Sequence, residues 1–135
     1  MDELQSYKYD KQLYLEMRQN DDRLDIEIEK ILSQLKLKKM LGKKDTLLSF
    51  KLNELYKLKE NQITNLTNLT NKLNEVERRI ESLDQPYKNI LYMKYVNELK
   101  MDEIADKLNY SIKRIYQLKD IAVKKFFESK KISND

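Results

Sequence analysis

The chain has 135 residues, 37% of them charged and 40% hydrophobic, with one Gly, one Pro, no Cys and no His. Disulfides, thiolate metal sites and histidine chemistry are excluded, and the length suits one compact domain plus an extension. The net charge of +4 is uneven: residues 1–82 hold 16 Lys and Arg against 15 Asp and Glu, whereas residues 83–131 hold 11 against 7. The basic excess thus falls where contacts to phosphates would put it.

No apolar run is long enough to cross a membrane, and MDELQSYKYD at the start lacks a signal peptide's apolar stretch, so a cytoplasmic protein is expected. Residues 2–41 carry a first helical pattern, with Leu13, Met17, Leu24, Ile28, Ile31, Leu32 and Leu35 as its apolar positions. Asn20, Asp21 and Asp22 interrupt it, which predicts a separate or frayed piece before them. Gly42, after the basic run Lys36, Lys38 and Lys39, predicts the helix end, and Asp45 or Thr46 predicts the next start.

From Leu47 to about Leu83 runs the clearest heptad: Leu52, Leu55, Leu66, Leu69, Leu73, Val76, Ile80 and Leu83 recur at steps of three and four. Lys59 and Gln62 break the seam. Such a helix is too long to stand alone, so it should fold back on the first as an antiparallel hairpin and offer any remaining apolar edge to another subunit. TNLTNLTN is its weak point, where Thr and Asn predict fraying or a kink. Pro86, after Gln85, then opens a short helix containing Tyr87, Ile90, Leu91, Met93 and Tyr95.

Met101–Leu108 and Ser111–Phe127 read as two helices joined by a tight turn, the pattern of a helix-turn-helix. Small Ala105 permits a close crossing between the core positions Ile104 and Leu108. Asn109 tolerates the left-handed turn conformation, Tyr110 is expected to pack back into the core, and Ser111 should cap the second helix. Ile115, Leu118, Ala122 and Phe126 form its buried stripe. The opposite face presents Ile112, Lys113, Tyr116, Gln117, Asp120 and Lys124 to a major groove, where Lys113 suits guanine, Gln117 adenine, and Ile112 or Tyr116 a thymine methyl. Arg114, Lys119, Lys124 and Lys125 suit phosphates. For Lys119, Lys125, Lys130 and Lys131 a merely solvated helix face is an equal reading.

ELKMDEIADKLNYSIKRIYQLKDIAVKKF, preceded by YKNILYMKYV, resembles region 4 of sigma-70-type transcription factors, the part that reads the upstream promoter element. Asp102, Glu103, Ile104 and Ala105 match its first helix; Ser111, Arg114, Ile115, Gln117 and Leu118 its second; Lys124 and Lys125 its basic tail. Tyr116 stands where an arginine is common. The resemblance implies a DNA-binding fold in which Ile112, Lys113 and Gln117 face bases.

The expected fold is all-α: a helical hairpin or coiled-coil arm at 1–82 for oligomerisation, a three-helix helix-turn-helix domain at 83–131, and a tail at 132–135. A coiled-coil arm before such a reader is similar to late-gene activators of phages and prophages of the ArpU and RinA type. That likeness implies a sequence-specific regulator bound to double-stranded DNA as a homodimer or higher oligomer, with RNA polymerase a further expected contact. Two other readings stand beside it, a DNA-packaging oligomer like a small terminase subunit and a coiled-coil protein whose helix-turn-helix is a docking surface. Catalysis is not expected, because the carboxylates alternate with lysines and no phosphate loop or activated nucleophile is present. No metal and no cofactor are expected.

Overall fold

The computed structural model describes residues 2–133, with side chains as far as Ser129. Five α-helices, α1 (Glu3–Met40), α2 (Thr46–Glu81), α3 (Tyr87–Leu91), α4 (Met101–Leu108) and α5 (Ile112–Ser133), make up the described fold, with a π-helical turn at Tyr92–Val96 continuing α3. The chain forms two compact units, Gln12–Thr70 and Met1–Lys11 with Asn71–Asp135. Of the tail read at 132–135, residues 132 and 133 continue α5, and the remainder lies outside the described residues, as do the side chains of Lys130 and Lys131.

In the unit Gln12–Thr70, the hairpin core is Ile28 and Ile31 of α1 against Leu55 of α2, flanked by Leu24, Leu35, Leu48 and Leu52. Gly42, at φ +72°, ends α1. Lys43 N–H reaches Lys38 O at 2.8 Å and Gly42 N–H reaches Lys39 O at 3.0 Å, the paired bonds by which a left-handed residue satisfies a helix's last carbonyls. Asp45 then caps α2, accepting from Leu48 N–H at 2.9 Å while pairing with Lys38.

Both expected weak points are intact helix. At Asn20–Asp22 the chain does not break, because Lys59 occupies the apolar seam and its ammonium sits 2.8 Å from Asp21 and 2.6 Å from Asp25. Holding two carboxylates raises the Lys59 pKa, so the cation persists where the heptad lacks a leucine. The polar interruptions of the two helices thus answer each other, and tertiary pairing overrides weak propensity. In TNLTNLTN two of the threonines turn their hydroxyls onto the preceding turn, Thr64 to Glu60 O and Thr67 to Ile63 O at 3.2 and 2.8 Å, so these hydroxyls find acceptors within the helix itself. Leu13 and Leu32 depart from the expected seam, being 47% and 42% exposed. Ile28 and Ile31 fill the position that Leu32 flanks.

The unit formed by residues 1–11 and 71–135 buries Leu4 and Tyr7 of α1, Leu73, Val76 and Ile80 of α2, and the apolar faces of α3, α4 and α5. At its centre lies Arg79, only 2% exposed. Its guanidinium pairs with Glu3, donates to Phe126 O at 3.0 Å and to Ser129 Oγ at 3.5 Å, and stacks 3.9 Å from the centre of the Phe126 ring. A buried arginine is tolerable only with that complement of acceptors.

Tyr7, 3% exposed, donates its hydroxyl to Glu77. Burial and then the Glu77 bond push its pKa well above the ordinary tyrosine value. The folded chain holds this proton more tightly than the unfolded chain, whose phenol titrates near about 10. Stability from Tyr7 is therefore fully present below about pH 10 and is lost as pH rises beyond it. Tyr7→Phe is expected to flatten the alkaline decline of stability in denaturant titrations at successive pH values, and an unchanged slope would contradict the Tyr7–Glu77 coupling.

Candidate nucleic-acid interface

The turn between α4 and α5 is built as its residue types dictate. Asn109 adopts φ 60° and ψ 40°, and Tyr110 N–H returns to Ala105 O at 3.0 Å, so the end of α4 closes like the Gly42 turn. Ser111 Oγ accepts from Arg114 N–H at 3.1 Å, satisfying one of the free amides at the start of α5. At the other end of α4, Glu103 reaches back toward Lys100 N–H at 3.4 Å. Lys100 itself, a donor only, cannot return that bond.

Ile90, Met101, Ile104, Ala105, Ile115 and Leu118 form the core of the motif, with Tyr87, Met93, Leu99 and Leu108 packed around it. Ala105 is 2% exposed. A longer side chain there has to push α4 off its neighbours, so Ala105→Leu is expected to cost about 1–3 kcal/mol through overpacking, read by denaturant unfolding. Unchanged stability would contradict the close packing at Ala105. Tyr110 corrects its expectation, since it is 38% exposed and Leu108 is the residue packed against the core beside the turn.

Two features before α4 gave no sequence signal. The π-helical turn closes through Asn97 N–H to Tyr92 O and Leu99 N–H to Met93 O, both at 2.8 Å, and Glu98 follows at φ 59°. Lys8 Nζ lies 3.3 Å from Glu98. The other is the N-terminal segment itself, whose Glu3, Leu4 and Tyr7 belong to this unit.

On α5, Ile115, Leu118, Ala122 and Phe126 are all 3% exposed or less, while Ile112 and Tyr116 are 52% and 50% exposed. Lys113, Arg114, Gln117, Asp120 and Lys124 are exposed. Arg114 Nη1 donates to Gln117 Oε1 at 3.2 Å, which orients the amide and leaves its NH₂ free to donate. Lys124 is open to solvent. Lys119 is half-buried, 3.4 Å from Asp120, and Lys125 lies 5.3 Å from the centre of the Tyr87 ring. These two must swing from those partners to meet phosphates.

The exposed, cation-bearing first turns of α5, opposite a fully buried stripe, have the arrangement by which one helix can enter a major groove. Residues 73–124 match the family model described as Sigma-70, region 4. This part of the chain is a sigma-70 region 4-like helix-turn-helix domain. The match takes in the last turns of α2, where Leu73, Val76 and Ile80 contribute to the buried core. No curated protein and no solved structure matches the chain. Among the described residues no helix is long and apolar enough to cross a membrane. The region 4-like domain is of a DNA-binding kind.

Proposed function

We propose that this protein is a sequence-specific regulator of transcription that binds double-stranded DNA with α5 in the major groove. Ile112, Lys113, Tyr116 and Gln117 touch base edges, and Arg114, Lys119, Lys124 and Lys125 hold the flanking phosphates. The reading is supported above all by the split of α5 into a buried stripe and an exposed reading face within a region 4-like domain. The arm built on residues 12–70 then serves to associate copies, as in phage-type regulators, so that two reading helices act on one site.

Genomic-fragment capture with the purified chain at two salt concentrations, with mass followed by light scattering, tests this reading. Enrichment of one short motif upstream of genes that survives the higher salt is the expected result. Loss of all DNA at the higher salt would leave only non-specific phosphate binding and overturn it.

A further inference from the structure

The charges of α1 in the hairpin unit are segregated. Residues 16–29 hold six acidic residues and two basic ones, whereas residues 30–40, to the end of α1, hold four lysines and no acid. The chain neutralises little of this itself. Lys59 takes Asp21 and Asp25, and Asp45 takes Lys38. Asp22, Glu27 and Glu29 in the acidic half, and Lys30, Lys36 and Lys39 in the basic half, form no ion pair with another described residue.

The face of α1 turned away from the hairpin seam is also apolar at intervals. Ile26, Leu37 and Met40 are 56%, 58% and 76% exposed, and with Ser33 they fall on one side of the helix at helical spacing. A shallow groove on that side is lined by Asp25, Ile26, Glu29, Lys30, Ser33 and Gln34. It lies where the acidic half gives way to the basic half.

We infer that this outward face of α1 is the contact between two copies of the chain, packed antiparallel about a two-fold axis between residues 31 and 32. The inference rests on the reading of the arm as the part that associates copies, and adds which face, which direction and which register. Parallel pairing would set the four lysines of the basic half against their own copies, and the acidic half against itself. Antiparallel pairing sets the acidic half against the basic half twice, because a two-fold contact repeats every pairing. In this register Ile26 meets the partner's Leu37, and Glu29 lies beside the partner's Lys36, on the same side of the contact. From Asp22 to Met40 the paired stretch is about 28 Å long. The same sign pattern disfavours other occupants, since neither an anionic lipid surface nor a wholly acidic peptide would satisfy the acidic half.

The absence of cysteine makes cross-linking in the full chain unambiguous. Ser33→Cys, close to the axis, should oxidise to a disulfide-linked dimer. Ile26→Cys and Leu37→Cys should each fail to link to themselves, lying about 16 Å from their own copies along the helix, yet link to each other when the two variants are mixed. Glu29→Lys and Lys36→Glu should each shift the dimer-to-monomer midpoint in light scattering to at least tenfold higher protein concentration, and the double variant should restore it. A dimer in which Ile26→Cys links to itself, or whose mass ignores the charge reversals, overturns this face while leaving association of copies standing. A monomer at every concentration, whether or not it binds vesicles of anionic lipid, overturns both. Neither outcome touches DNA binding by α5.

Discussion

Replacing Arg79 by Ala is expected to lower the unfolding free energy by about 3 kcal/mol, the low end of what breaking a buried ion pair costs. The side chain is 2% exposed and gathers α1, α2 and α5 through Glu3, Phe126 O and Ser129. Truncation removes the cation stacked on Phe126, leaves a cavity, and strips Phe126 O of one of its two side-chain donors. The cost stays at the low end because the Glu3 side chain is 30% exposed and can regain water once its partner is gone. Arg79→Met, which keeps the volume, should recover at least half of the loss. Denaturant unfolding of the full chain reads both. A loss below about 1 kcal/mol for the alanine variant would mean that the guanidinium is not holding this unit together.

Ile115→Ala should cost a further class of stability, about 2–5 kcal/mol, and here packing connects to reading. Ile115 is fully buried against the α4 crossing, between the exposed Arg114 and Tyr116. Its loss leaves a void under the first turns of α5, so those turns lose the support that fixes them. Affinity should therefore fall for every DNA sequence alike, and a stabilising solute should recover part of it. A variant that unfolds as the parent does yet loses selectivity for one base would contradict the assignment of Ile115 to the core.

Much of this fold was legible because single residue types carry single physical demands. Gly42 and Asn109 mark left-handed ends of α1 and α4, Asp45 and Ser111 the caps of α2 and α5, and the α2 heptad its seam. The α5 stripe was legible because four apolar residues recur at helical spacing beside a row of polar ones. What was hidden depends on partners distant in sequence. Nothing near Arg79 announces burial, since Glu3 lies at the far end of the chain and Phe126 offers only a ring and a carbonyl. Leu4 and Tyr7 are too few to show a periodicity of their own. Asn20–Asp22 reads as a breaker until Lys59 stands opposite it.

For the candidate interface, the sequence supplied the exposed face but not its internal bonds. Gln117 is oriented by Arg114, and Lys119 and Lys125 are occupied by Asp120 and Tyr87. Of the four residues assigned to phosphates, Arg114, Lys124 and Lys125 are exposed, and Lys124 has no side-chain partner among the described residues. Lys124→Ala should weaken all DNA about equally and reduce the salt slope by about one.

The most direct test of base reading by α5 is the affinity of the parent chain and of Lys113→Ala and Gln117→Ala for its best DNA site and for every single-base variant of that site. Each substitution is expected to cost about 1–3 kcal/mol on the best site and to relax preference at one position while leaving the others in place. Equal loss of affinity for every sequence would contradict the reading of bases by this face of α5.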